Sequence, residues 1–313
     1  MDNQSKIILI SGPTASGKSN FAIKIAKKIN GEIINADSMQ VYRQLKIITA
    51  RPNIKHQKEI KHHLYGIINV NDNFSTGQWL KLATKKINEI KRKKKIPILV
   101  GGTGLYFQSL INGLVKIPKI PIRLRNKIRL IHQKEGQKKF YKKLLKLDPL
   151  IKNKFDPNDA HRSMRAYEIK LFTKKSMYHW ISNTKSFFKE SEFLKLYMDC
   201  DRKNLIKKIS DRSLKMIKDG AILEVKKFSK LKLKKERSAN KIIGVSEITK
   251  YLNNEMKLDE TKELISIRTR QYAKRQATWA RSKMDSWNKI APDEISKWIK
   301  KINKSSLKLD QLI

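Results

Sequence analysis

The sequence predicts an α/β protein, a parallel sheet flanked by helices with an all-helical insertion domain, and three observations carry that expectation. Four short apolar runs, Lys6 to Ile10, Glu32 to Ala36, Ile96 to Val100 and Phe193 to Met198, are continuous rather than alternating. Strands covered on both faces read that way. Helical patterns lie between them, such as Phe21, Ile25 and Ile29 at helical spacing, closed by Asn30-Gly31. Strand alternating with helix builds a parallel sheet. From Pro118 to Phe188 the pattern changes to charged helical periodicity without a strand, punctuated by Pro118, Pro121, Pro149 and Pro157. The expected division is therefore a sheet domain of residues 1–117 and 190–313 around a helical insertion of residues 118–189. Beyond Asp201 the chain reads as helical with Lys-rich faces.

Composition bounds the function. The 313 residues are 39% hydrophobic, enough for a well-buried core. Lys and Arg number 71 against 28 Asp and Glu, a formal net charge of +43. Such a charge attracts polyanions and opposes self-association, which points to a nucleic-acid partner and a monomer. Runs such as Lys91 to Lys95 and Lys232 to Lys235 also suit solvated helix ends in a chain rich in Lys, Ile and Asn, so charge alone decides little. One cysteine, Cys200, makes no internal disulfide and no Cys-based metal site. No run is long enough to span a membrane, and Met1 to Ser5 lacks the basic start and apolar core of a secretory signal. The expectation is a cytoplasmic protein.

The first strand runs into Gly12-Pro13-Thr14-Ala15-Ser16-Gly17-Lys18-Ser19, which matches G-x-x-x-x-G-K-[ST] at every fixed position and opens a helix. Its glycines let backbone N–H groups wrap a diphosphate, and the helix N-terminus adds partial positive charge. Lys18 reaches the phosphate oxygens and the Ser19 hydroxyl can ligate Mg²⁺. The sheet is thus of P-loop type. The loop specifies a diphosphate without specifying ATP.

Ligands of such sheets sit beyond the carboxyl ends of the strands. The second strand delivers Asp37-Ser38-Met39-Gln40, where Asp37 suits a base or metal helper, or simply a helix cap. The third delivers Gly101-Gly102-Thr103-Gly104, whose glycines permit close approach and whose Thr103 suits a phosphate or a base edge. A nucleotide or small-molecule P-loop kinase would share all of this, and so would a P-loop RNA-binding module without catalysis. A carboxylate such as Asp37 in a phosphate crevice speaks against the module, and the lack of a second Arg-rich lid speaks against a small kinase. The segment Arg268 to Arg281 is basic and aromatic, with Arg270, Lys274 and Arg281 on one helix face beside Tyr272, which suits a phosphate backbone with nearby bases. Trp279 reads as a core residue.

These pieces, in order with Thr49-Ala50-Arg51-Pro52, His62-His63-Leu64, Asp156-Pro157-Asn158-Asp159 and Lys274 to Trp279, resemble the bacterial tRNA dimethylallyltransferase family along almost the whole chain. The resemblance implies attack of an adenine N6, next to the anticodon, on dimethylallyl diphosphate with loss of pyrophosphate. Asp37 matches the family's general base, Thr103 a residue near diphosphate and base, and Arg212 an arginine that neutralises the leaving group. Asp37, Ser38, Met39, Gln40, Thr103 and Arg125 would lie near a flipped nucleotide. His161, Arg162, Ser163, Met164 and Arg165, with Lys241, Ile242, Ile243, Gly244, Val245 and Ser246, would touch the anticodon loop. The insertion would grip the stem-loop through phosphates and shape.

Two positions depart from the family's pattern. Ile48 stands where Gly is usual before Thr-Ala, which bears on local loop geometry. Val245 stands where Tyr usually follows Gly, which predicts weaker RNA contact there. His62 and His63 are adjacent on an extended segment and point to opposite sides, so they are expected to pack and hydrogen-bond rather than chelate.

Overall fold

The computed structural model describes residues 6–182, 184–234 and 236–301; the N-terminal pentapeptide and Lys235 of the basic run lie outside them. One unit takes in the chain before and after the other, which is Asn112–Phe187. In the first, six parallel strands form one sheet in the order β3-β2-β4-β1-β5-β6. They are β1 Ile7–Ser11, β2 Gly31–Asn35, β3 His62–His63, β4 Ile96–Gly101, β5 Phe193–Met198 and β6 Asn288–Ile290. The four apolar runs are β1, β2, β4 and β5, and β1, β2 and β4 are buried at every position. The two edge strands went unread because two or three residues carry no periodicity. β6 interrupts the region expected to be helical throughout, paired through Leu196 with Asn288 to Met198 with Ile290.

Helices α1 (Lys18–Ile29), α2 (Ile54–Glu59), α3 (Thr76–Arg92) and α4 (Gly104–Asn112) follow β1, β2, β3 and β4 in turn. α1 buries Phe21, Ile25 and Ile29 against Ile8, Ile10 and Ile98. Burying side chains of that size stabilises by about 1.5–3 kcal/mol each. α3 starts in a Ser75/Gln78 capping box and carries Trp79, which is fully buried.

The second unit holds α5 (Ile122–Leu147), α6 (Ala160–Thr173) and α7 (Met177–Ser182), with no strand among its described residues. α5 is two helical pieces broken at Gly136, whose φ of 74° and ψ of 164° suit glycine alone. Its core joins Tyr141, Leu144, Ile151, Phe155 and Ala166.

After β5 the first unit continues with α8 (Arg202–Lys218), α9 (Ala221–Ser229), α10 (Val245–Leu252), α11 (Leu258–Lys283) and, past β6, α12 (Ile295–Lys301). α8 and α11 pack together through Leu205, Ile209 and Ala273. Among the described residues no helix is long and apolar enough to cross a membrane. The paired histidines behave as β-strand neighbours: His63 Nε2 lies 2.6 Å from Glu32 Oε2, while His62 Nδ1 lies 2.7 Å from the Ile60 carbonyl.

Candidate active site

A cleft of about 670 Å³ opens at the carboxyl ends of β1, β2 and β4, lined by Lys18, Ser19, Asp37, Gln40, Arg212 and Tyr272 among others. Of the phosphate loop, Thr14, Ala15 and Gly17 also face it, while Gly12 and Pro13 are buried behind. A Cβ on Gly12 would lie 2.9 Å from Met198 Cβ, so only glycine lets the loop pass β5. The loop is held by helices far along the chain. Arg212 Nη1 donates to Thr14 Oγ1 at 2.8 Å from α8. Gln276 on α11 accepts from the Thr14 N–H at 2.8 Å and donates to the Gly102 carbonyl at 3.0 Å, joining both glycine-bearing loops. Ile265, Thr269 and Tyr272, four and three apart, bring one face of α11 to the cleft; Gln276 was missed because its partners lie 262 and 174 positions away.

The loop carries two marks of an anion site. Ser16 Oγ is buried without a hydrogen-bond partner. Lys18 Nζ donates to its own loop's Pro13 carbonyl at 3.1 Å. Burial lowers the Lys18 pKa, the Asp37 carboxylate opposes it and Arg212 adds to it, leaving the group at about 8. Burial likewise lowers Arg212, again opposed by Asp37. An anion bound between them would favour the charged form of both. The oxygen donors facing the cleft, the Ser19 hydroxyl and the Asp37 carboxylate, are of the type a hard cation such as Mg²⁺ takes. Among the described residues no cluster of three His, Cys, Asp or Glu side chains forms a separate metal centre.

Asp37 is placed by backbone and amide bonds and makes no ion pair within 4 Å among the described residues. Its N–H donates to Asn35 Oδ1 at 2.9 Å and its Oδ1 accepts from the Met39 N–H at 2.9 Å. Asn35 is itself clamped: its amide reaches the Asp37 and Leu64 carbonyls, and its own carbonyl accepts from Trp79 Nε1 at 2.8 Å. Trp79 stacks on Tyr106 with centroids 4.2 Å apart. The carboxylate's field and burial together raise the pKa values of Tyr65, Tyr106 and Tyr272. Thr103 is occupied, its Oγ1 accepting from the Ser38 N–H at 2.9 Å and donating to Ser38 Oγ at 3.2 Å. It ties the third strand's loop to the second's. A Cβ on Gly101 would sit 2.0 Å from the Ala36 carbonyl oxygen, which is why β4 must end in glycine.

The remaining assigned residues divide. Lys241, Ile242 and Ile243 line the cleft. Gly244 and Val245 do not present a surface: Val245 is 5% exposed and belongs to one core cluster with Ile48, 3% exposed. A Cβ on Gly244 would meet Ile48 Cδ1 at 2.4 Å. Both departures from the family's pattern therefore lie in packing. Ser246 is half-buried and accepts from Arg268 Nη1 at 3.0 Å. In the second unit Ser163 is fully buried and accepts from Gln137 Nε2 at 3.0 Å. His161 and Arg162 are exposed and Met164 half-buried. Arg125 and Arg165 converge on the buried Glu168, at 3.6 and 3.1 Å, leaving one positive charge in surplus. Glu168 was missed because nothing in its local sequence marks it. Arg270, Lys274 and Arg281 share a face as expected, lining a second cleft of about 500 Å³ rather than the one that holds Lys18. Trp279 is half-buried, its ring packed where a Gly104 Cβ would be, and it belongs to the helix–loop contact rather than to the core.

The model for IPP transferase matches residues 40–283. A tRNA dimethylallyltransferase of Pelagibacter ubique is 70% identical over the full length of both chains. The chain belongs to the IPP transferase family. A Rickettsia massiliae tRNA dimethylallyltransferase is 44% identical over 90% of this chain and 78% of its own. Two solved members share the fold. A full-length tRNA isopentenylpyrophosphate transferase from Bacillus halodurans, 29% identical, superposes with a TM-score of 0.68 over 95% of each chain. A eukaryotic dimethylallyltransferase acting on tRNA, 31% identical, gives 0.81 over 98% of this chain and 77% of that one. The family match begins at Gln40, so the phosphate loop and Asp37 precede it, and the full-length relatives carry the likeness across them.

Proposed function

We propose that this IPP transferase moves the dimethylallyl group of dimethylallyl diphosphate to N6 of adenosine 37, 3′-adjacent to the anticodon of tRNA, releasing pyrophosphate. The observation that carries the reading is one cleft holding Lys18, Arg212 and Asp37 together, two cations for a leaving diphosphate and one carboxylate for a proton. The N6 lone pair forms the new bond to the allylic carbon as the carbon–oxygen bond to the diphosphate breaks. The electron pair leaves on pyrophosphate, met by Lys18, Arg212 and the loop N–H groups of residues 12–19. The N6 proton passes to the Asp37 carboxylate, whose orientation Asn35 and Met39 fix. Thr103 keeps Ser38 and Asp37 in register from the third strand's loop. Mg²⁺, when bound near Ser19 and Asp37, would neutralise part of the diphosphate charge. The exocyclic amine is inaccessible in a stacked loop, so the base must leave its stack to be read between Asp37, Met39 and Gln40. Arg125, Arg162 and Arg165 of the helical unit supply cations for the stem-loop, and the chain acts as a cytoplasmic monomer.

The test is transfer of label from dimethylallyl diphosphate to unmodified tRNA with Mg²⁺ present and ATP absent. Label that enters RNA, and is lost when adenosine 37 is replaced by guanosine, is the expected result. Consumption of ATP with no label in RNA would make the protein a P-loop kinase instead.

A further inference from the structure

With 71 cationic side chains against 28 carboxylates, a carboxylate of this chain has cations to choose from. Glu224, in the first turn of α9, makes no ion pair among the described residues. Its two oxygens accept from three consecutive backbone N–H groups instead: Lys46 at 2.7 Å, Ile47 at 2.8 and 3.0 Å, and Ile48 at 2.8 Å. A carboxylate in such a backbone cradle takes the place of an anion in a nest. Bonds of this charge-assisted kind are about twice as strong as neutral ones.

What the cradle holds is the next stretch of chain. Ala50 sits at a φ of 49°, a left-handed conformation that a non-glycine residue keeps only when its surroundings impose it. Thr49 Oγ1 donates to the Leu45 carbonyl at 2.6 Å, and the Arg51 N–H donates to the Lys46 carbonyl at 3.1 Å, closing the turn. The carbonyls of Thr49 and Ala50 then accept from Gln40 Nε2 at 2.8 and 3.1 Å. Two carbonyl acceptors on one side fix which end of the Gln40 amide is nitrogen, and Gln40 lines the cleft beside Asp37.

We infer that Glu224 is a positioning residue, setting the orientation of the Gln40 amide in the cleft through the turn of residues 46–50. The inference rests on the transferase reading above and adds a residue outside the cleft to its nucleoside side. The diphosphate side is untouched by it, since Lys18 and Arg212 make no bond to this turn.

The test is a double-mutant cycle on the full chain with Glu224→Gln and Gln40→Ala, read as kcat/KM for tRNA and as the dissociation constant of dimethylallyl diphosphate. Gln keeps the shape and loses the charge and one acceptor. Each single variant should lower kcat/KM for tRNA about tenfold and leave diphosphate affinity within about twofold, and the double should be no worse than the poorer single. A purely structural role would lower both readouts and add to the Gln40 defect. Additive losses, a parallel fall in diphosphate affinity, or an unaffected Glu224→Gln variant would each overturn the inference while wild-type transfer stands. Should the Glu224→Gln chain fail to fold, the milder Glu224→Asp, which keeps the charge and shortens the reach, carries the same cycle. A wild-type chain that transfers no label overturns this inference together with the reading it rests on.

Discussion

The two walls of the cleft are built by different means. The phosphate wall is a contiguous motif, residues 12–19, whose own backbone makes the site and whose Lys18 faces inward, with Arg212 added from α8. The opposite wall, from Gln40 to Ala50 and Lys241 to Ile243, is held by two acids, one distant in sequence and one local. Glu224 grips the N–H groups of residues 46–48, and Glu247, buried, accepts from the Gly244 N–H at 2.9 Å while pairing with Arg268 at 2.5 Å. One wall is specified by its local sequence and the other by packing. A motif can be read from a chain; a clamp between residues 46–48 and residue 224 cannot.

The comparison breaks most visibly at Asp37, which belongs to neither wall. Replacing it with Ala should lower transfer about 10³-fold, within the range of general-base losses, while tRNA affinity stays within about twofold. Rate constants from single-turnover transfer and dissociation constants from filter binding check this. Loss of binding equal to the loss of rate would make Asp37 an RNA contact and move it to the packing wall.

The phosphate wall is sharpened at Lys18. A lysine–phosphate contact is worth about 1.5–3 kcal/mol, so Lys18→Ala should cost about 10–100-fold in kcat/KM for dimethylallyl diphosphate, with RNA affinity nearly unchanged. Its pKa adds a second signature. Burial favours the neutral amine, so the free protein loses the Lys18 charge as pH rises through about 8. The profile of kcat/KM for the diphosphate should therefore fall above pH 8, approaching about tenfold per unit, and the limb should vanish in Lys18→Ala. A profile flat to pH 10 would mean Lys18 keeps its proton and lies closer to water than its surroundings suggest.

The sheet and the phosphate site were legible because both are contiguous: four apolar runs for four strands, eight residues for one loop. Asp37 and Thr103 were legible because strand ends are where such sheets place ligands. Arg212 came through family resemblance, and its bond to Thr14 spans 198 positions, beyond any local pattern. Gln276, Glu168 and Glu224 escaped for the same reason. The edge strands β3 and β6 escaped because pairing, not periodicity, makes two or three residues a strand. The burial of Ser163 and Val245 was not legible, since a contact inferred along a segment says nothing of which face each side chain takes.

The smallest expected effect tests the packing wall directly. Ile48 and Val245 replace the Gly and Tyr usual in the resembling family, a gain of volume at one position and a loss at another within one core cluster. Close-packed interiors tolerate such exchanges when total volume is kept. Ile48→Gly alone would leave a hole beside Gly244 and Ile265, costing about 2–5 kcal/mol, and Val245→Tyr alone would overfill the cluster by about 1–3 kcal/mol. If the two positions share one space, the pair Ile48→Gly with Val245→Tyr should be less costly than the sum by about 1 kcal/mol or more, measured by urea denaturation at constant slope. Additivity would mean that each residue fills its own gap. Coupling would mean that the chain restored its packing by exchanging one bulky residue for another, leaving the turn that Glu224 holds, and the cleft beyond it, in the family's geometry.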